Sequence, residues 1–152
     1  MNSTDPADPA NPKLADFLCF AIYSANLAYG RAYKPILQEL GLTYTQYIAI
    51  VALWEEDDQT VGGLGERLFL ESNTLTPILK KLEAMGYLGR QRDPADERQV
   101  RVRLTEAGRR LREKGLNMTL VKKTGLPVEE FSKLQKAVSN LRDNLMRTTG
   151  SD

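Results

Sequence analysis

Apolar residues recur along most of this chain at steps of three and four, and switch to steps of two in one short stretch near its middle. Leu14, Leu18, Ala21, Ala25, Ala28 and Ala32 trace a narrow stripe of mostly small residues at helical spacing. Asn11-Pro12 has the form of an N-cap followed by proline at the first helical position, so the pattern predicts a long helix from residue 12 to about 40. Pro35 should bend or interrupt it near its end, and Gly41 marks the break. A second helix opens at Thr43 or Tyr44, runs through Trp54 and ends in the acidic run Glu55-Glu56-Asp57-Asp58. A short third helix, around Val61 to Phe69, is weakened by Gly62, Gly63 and Gly65. Ser72 or Asn73 caps a fourth, whose inner face carries Leu75, Ile78, Leu79, Leu82 and Met85, and Gly86 stops it as a left-handed C-cap. Pro77 has no amide proton and fits best in a first turn, which draws the start of this helix toward Thr74.

The period then changes. Val100, Val102 and Leu104 alternate with Arg101 and Arg103, the signature of a half-buried strand. With a strand near Tyr87 to Arg92 and the turn-forming Asp93-Pro94-Ala95-Asp96-Glu97-Arg98 between them, this predicts a β-hairpin. Thr105 opens a fifth helix toward Lys123, and Gly125-Leu126-Pro127 breaks it. In the last helix Phe131, Leu134, Val138, Leu141 and Leu145 form a coiled-coil-like seam.

The expected fold class is therefore mainly α with a small β-hairpin wing. A winged helix-turn-helix over about residues 44–104 is flanked by N- and C-terminal dimerisation helices, 12–40 and 105–147. Residues 1–11 and 148–152 are expected to be tails, the first disordered or extended, around one domain, 12–147. One reading head covers only a few base pairs, so specific binding calls for two heads on half-sites about one helical turn apart, and hence a homodimer on pseudo-palindromic double-stranded DNA. The alternative is that both terminal stripes pack within one chain.

Composition adds three constraints. No apolar run approaches the roughly 20 residues of a membrane span. The N-terminus has neither a basic nor an apolar leader region, and the lone cysteine suits a reducing compartment, so a cytoplasmic protein with no membrane partner is expected. The net charge of +1 conceals an asymmetry: residues 1–79 carry four Lys/Arg against ten Asp/Glu, whereas residues 80–114 carry eleven against six. A basic stretch in a near-neutral chain is what a polyanion-binding face requires.

That stretch follows the polar face of the fourth helix. Ser72, Asn73, Thr74, Thr76 and Pro77 suit entry into a major groove, while Lys80 and Lys81 can reach phosphate. Arg90, Arg92 and Arg98 lie at the base and tip of the hairpin, where a wing touches backbone and minor groove. Taken singly, each of these is usually only a solvated surface; it is their order along the chain that points to DNA.

Cys19 lies in Phe17-Leu18-Cys19-Phe20-Ala21-Ile22-Tyr23, followed by Tyr29, Tyr33, Tyr44 and Tyr47, in a chain with no histidine. One sulfur cannot close an intramolecular disulfide, and without imidazole it can form neither a Cys-His pair nor a His-containing zinc site. No metal or cofactor is expected. Cys19 is then either an inert apolar thiol or a reactive one served by phenols.

Leu18-Cys19-Phe20-Ala21-Ile22-Tyr23-Ser24, Tyr33-Lys34-Pro35, Leu42-Thr43-Tyr44-Thr45-Gln46-Tyr47 and Leu75-Thr76-Pro77-Ile78-Leu79-Lys80-Lys81 together resemble the organic hydroperoxide resistance regulators. These form the OhrR branch of the MarR family of winged-helix repressors. The wing Asp93 to Arg98 and Leu104-Thr105-Glu106-Ala107-Gly108 resemble the wider family, and the likeness spans about Leu14 to Leu145. The resemblance implies that Cys19 is the peroxide-sensing thiol. It implies that Tyr23, Tyr33 and Tyr44 supply hydroxyls around it, the last two from the partner subunit, and that Asp96 and Arg98 belong to the wing. An apolar rim of Phe17, Phe20 and Ile22 would then favour organic hydroperoxides over hydrogen peroxide. Reduced protein would hold its operator, and oxidation would release it. Many relatives carry a second, resolving cysteine where this chain has Thr124-Gly125-Leu126-Pro127. Either the chain is of the single-cysteine type or a natural cysteine has been replaced. As written, oxidised Cys19 would pass to a mixed disulfide with a low-molecular-weight thiol, or on to sulfinate and sulfonate. The nearest rival is a MarR-type repressor released by a phenolic ligand, with Cys19 structural. A thiol peroxidase and a purely structural helical dimer are the remaining alternatives.

Overall fold

The computed structural model describes residues 11–114 and 121–150. The chain divides into two compact units, Met1–Leu111 and Arg112–Asp152.

In the first unit a single 3-10 turn, Leu14–Asp16, precedes helix α1, Leu18–Leu40. The expected helix start at residue 12 is therefore too early. The N–H groups of Asp16 and Phe17 donate to Lys13 and Leu14 carbonyls at 2.9 and 3.2 Å, a tight closure that leaves Phe17 extended at ψ 115°. Pro35 does not interrupt α1. Its missing donor falls opposite the Arg31 carbonyl on an exposed face, where water can satisfy it. Gly41, at φ 67°, ends the helix as expected: Gly41 N–H donates to the Gln38 carbonyl and Leu42 N–H to that of Leu37.

Helix α2, Tyr44–Glu55, starts on a capping box in which Thr43 Oγ1 accepts from Gln46 N–H and Gln46 Oε1 accepts from Thr43 N–H. Strand β1 (Gln59–Thr60) leads directly into α3 (Val61–Leu68), and α4 covers Ser72–Ala84. Glu71, rather than Ser72 or Asn73, is the N-cap of α4, and Pro77 lies well inside the helix instead of in its first turn. It is tolerated because Pro77 and Asn73 are exposed, so the Asn73 carbonyl left without its donor can be hydrated; beside it Thr76 Oγ1 donates back to the Ser72 carbonyl at 2.7 Å. Gly86, at φ 84°, closes α4 with the two hydrogen bonds of a Schellman turn, to Glu83 and Leu82 carbonyls.

The wing strands β2 (Leu88–Arg92) and β3 (Val100–Leu104) pair antiparallel, Leu88 with Leu104 and Arg92 with Val100. β3 is central, because β1 adds to its other edge through Gln59↔Val102 and Thr60↔Arg101. β1 was not anticipated, since two polar residues carry no alternation. Ile50, Leu53, Leu64, Leu75, Leu79, Leu82, Leu88 and Val102 are fully buried, so α2, α3, α4 and the inner sheet face share one core. At about 1.5–3 kcal/mol each, these side chains hold the reading head together.

Gly108 ties the wing base to α2. A Cβ there would stand 2.1 Å from the Tyr87 carbonyl oxygen, while the Gly108 carbonyl accepts from Trp54 Nε1 at 2.9 Å. Helix α5, Glu106–Arg110, is shorter than expected and tightens into a 3-10 turn, Leu111–Lys114. Residues 121–123 are helical, and residues 115–120 of the expected fifth helix lie outside the described residues.

The second unit contains the C-terminal helix α6, Val128–Thr149. None of its residues is buried, and Leu134, Val138 and Leu145 of the expected seam are exposed. Among the described residues no single helix is long and apolar enough to cross a membrane. α1 and α2 reach that measure only as a pair, and they meet at 72°.

Candidate DNA interface and thiol site

Helix α4 presents Ser72, Asn73, Thr74, Pro77, Lys80 and Lys81 to solvent, while Leu75, Leu79 and Leu82 fix its opposite face in the core. Thr76 is half-buried, with its hydroxyl turned back on Ser72. Between the start of α4, α3 and the wing lies a cleft of about 620 Å³, lined in part by Thr60, Gly62, Ser72, Thr76, Arg90 and Arg98.

The three wing arginines differ sharply. Arg98 is the free one: its side chain is 91% exposed, and Asp96 alone orients it, accepting from Arg98 N–H and Nε at 3.2 and 3.1 Å. Asp96 therefore aims the tip arginine, and the Arg98 guanidinium in turn holds the Asp96 carboxyl below the usual range. Arg92 is exposed but braces the turn, donating from Nη1 to the Glu97 carbonyl at 2.8 Å. Arg90 is half-buried and committed to Glu83 of α4: Nη2 meets Oε1 at 3.1 Å, and Arg90 N–H donates to Oε2 at 3.0 Å. That pairing lowers the Glu83 carboxyl pKa. Arg90, expected at the DNA, here braces the recognition helix against the wing.

Sequence reasoning missed the residues that hold the wing root. Asp57 Oδ1 accepts from Leu104 N–H at 2.9 Å, and Asp58 pairs with Arg101 and Arg103 at 2.8 and 3.0 Å. Hydrogen bonds from Arg103 and then Arg101 hold the Asp58 carboxyl below its ordinary value. The signal lay in an acidic run paired with arginines on one strand face, but at a separation of 43 residues no local pattern connects them.

Cys19 is exposed and sits second in α1. A helix starting at residue 12 would have put Cys19 about two turns inside; the start at Leu18 moves it to the helix end. It occupies the first turn, where N–H groups lack intrahelical acceptors and the dipole favours negative charge. Its sequence neighbours Phe17, Phe20 and Ile22 are partly exposed apolar side chains, and Tyr23 follows one turn later on the same face as Cys19. Tyr33 is about 21 Å further along the axis at the helical rise. Its ring meets Tyr44 edge-on at 5.1 Å and Tyr29 at 6.1 Å. Burial, then the neighbouring Tyr44, Tyr47 and Tyr29, push the Tyr33 phenol up to about 12. One chain thus brings Tyr23 beside Cys19 and keeps Tyr33 and Tyr44 together elsewhere. Among the described residues no His, Cys, Asp and Glu side chains gather into a group of three that could hold a metal ion.

A helix-turn-helix with an arginine-tipped wing, its reading helix polar outside and apolar inside, defines a DNA-binding transcriptional regulator of the winged-helix class. Residues 31–114 match the transcriptional regulator SarA/Rot family model. The chain belongs to this family of SarA/Rot/MarR-type regulators, as its motifs implied. It is 44% identical over 153 residues to the HTH-type transcriptional regulator TtmR of Methylorubrum extorquens, covering 99% of this chain and 77% of that protein. It is 40% identical to the organic hydroperoxide resistance transcriptional regulator of Bacillus subtilis, over 88% of this chain and 92% of that one. Reduced AbfR bound to DNA superposes with a TM-score of 0.75 at 34% identity, over 89% of this chain and 94% of that one. AbfR, from Staphylococcus epidermidis, is also solved overoxidised on DNA and in a disulfide form.

Proposed function

We propose that this regulator is a homodimeric repressor that senses organic hydroperoxides through Cys19 and then leaves a pseudo-palindromic operator. The observation that carries the reading is the position of Cys19: exposed, in the first turn of α1, within an apolar rim and one turn from Tyr23. The relationship to the Bacillus subtilis hydroperoxide resistance regulator supports it.

The Cys19 thiolate attacks the terminal oxygen of the hydroperoxide. The O–O bond breaks and an S–O bond forms; the transferred oxygen keeps its proton, leaving the sulfur as sulfenic acid, and the departing alkoxide takes a proton from solvent and leaves as the alcohol. A small cytoplasmic thiol then displaces water from that sulfenic acid to give a mixed disulfide. The bulk of this adduct, rather than added oxygen alone, is the releasing event. Overoxidised AbfR is solved on DNA, which supports assigning release to a disulfide. Tyr33 and Tyr44 act on Cys19 from the partner subunit, since 21 Å of helix separates Tyr33 from the sulfur of its own chain, at about 1.5 Å per residue. Hydrogen bonds from phenols to a charged sulfur are worth about 1.5–3 kcal/mol each, so losing several per dimer is enough to shift the heads off the groove. Asn73, Thr74, Lys80, Lys81 and Arg98 carry the DNA contacts.

A gel shift on the chain's own upstream DNA tests this. Cumene hydroperoxide with a low-molecular-weight thiol is expected to release wild-type protein and leave Cys19→Ser bound. Release of Cys19→Ser by the same treatment, or release of the wild type by salicylate with indifference to peroxide, would falsify the sensing role.

A further inference from the structure

Arg101 lies at the centre of the wing sheet, in a basic stretch, and would ordinarily be counted as a phosphate contact. Its geometry says otherwise. Nε donates to Asp58 Oδ1 at 2.8 Å, Nη2 to the Asp58 carbonyl at 2.7 Å, and Nη1 to Asp93 Oδ2 at 3.3 Å. Every nitrogen of the guanidinium is engaged, and the side chain is only about one-third exposed. Asp58 precedes β1, Arg101 is on β3 and Asp93 follows β2, so the arginine straps across all three strands of the sheet. Asp58 also occupies the left-handed region, at φ 57°, where a residue with a Cβ sits at a cost. Asp93 in turn nucleates the wing turn: Oδ1 accepts from Ala95 N–H at 2.9 Å, and its own N–H donates to the Gln99 carbonyl at 2.8 Å.

We propose that Arg101, Asp58 and Asp93 are positioning residues for DNA binding: together they fix the angle of the wing on the end of α2, so that Arg98 meets the groove, and none of them touches DNA. The strap rests on DNA binding alone and holds whichever signal the protein senses.

The test exploits a difference in sign. Removing a carboxylate near a polyanion by itself tightens binding, because it removes repulsion. Asp58→Asn should nevertheless weaken operator binding about three- to tenfold, the scale of one or two ion pairs. Asp93→Asn, which cuts the other end of the strap, should act the same way. Glu97→Gln, which removes the same charge from the wing turn outside the strap, should leave affinity equal or higher. Arg98→Ala should cost less affinity in the Asp58→Asn background than in wild type, because a loosened wing no longer delivers that arginine. Circular dichroism melting confirms that each variant is folded, and fluorescence anisotropy over a salt series gives both affinity and slope. Two results overturn the strap: Asp58→Asn and Asp93→Asn binding as tightly as wild type or tighter, or Arg98→Ala costing the same in both backgrounds. Should those variants bind normally while Arg101→Gln lowers the salt slope by about one, Arg101 is a phosphate contact after all.

Discussion

At the residue scale, identical side chains take different roles according to their neighbours. Arg98, Arg92 and Arg90 all belong to the wing, yet only the first is left free to meet a partner; Glu83 claims Arg90 and the Glu97 carbonyl occupies Arg92. The sequence pattern marked all three, because charge and position were visible, whereas the partner on another element was not. Tyr33 offers a quantitative check. Its folded pKa, about 12, lies above the ordinary tyrosine value of 10.0. A raised acid favours the folded state while the phenol is neutral in both states, so the full contribution is present below pH 10 and is lost as pH rises through 12. Urea unfolding at pH 9 and pH 11 should show wild-type stability falling more steeply than that of Tyr33→Phe. Parallel losses in the two proteins would remove the phenol from the account.

At the scale of elements, the helix ends were legible where a side chain or glycine makes them, and illegible where they depend on the backbone. Gly41 and Gly86 stopped their helices as expected, and Thr43 opened α2. By contrast, Asn11-Pro12 resembled a helix start that the 3-10 turn at Leu14–Asp16 displaces to Leu18. Pro35 and Pro77 resembled boundaries and are interior residues, because each lies on an exposed face where one lost hydrogen bond can be hydrated. β1 is held by its partner strand rather than by its own composition. The Thr43–Gln46 capping box gives this scale its test. Thr43→Ala removes the acceptor of Gln46 N–H and should cost about 1 kcal/mol in denaturant unfolding, while Thr43→Ser should cost far less.

At the scale of the molecule, apolar surface is left without cover in both units. Phe17, Leu18, Leu27 and Tyr29 of the first, and Val128, Leu134, Val138 and Leu145 of the second, are all more than 40% exposed. The seam on α6 was readable from its alternating steps of three and four, and its exposure is what a subunit interface requires of each chain alone. Pairing of two copies through this surface predicts that Val138→Glu with Leu145→Glu yields a monomer in sedimentation equilibrium, with a parallel loss of operator affinity. A dimer that persists at micromolar concentration would assign the interface elsewhere. The resemblance implied that Tyr33 and Tyr44 serve Cys19 from a partner subunit; within one chain, about 21 Å of helix at 1.5 Å per residue separates Tyr33 from Cys19, and Tyr44 opens the next helix.

Gly108 carries a consequence for heredity. A methyl group there would collide with the Tyr87 carbonyl oxygen, so the site admits no other amino acid without shifting the wing base. Every change at the first or second base of a glycine codon specifies a different residue or a stop. Lineages that lose DNA binding by missense change should therefore accumulate lesions at this codon.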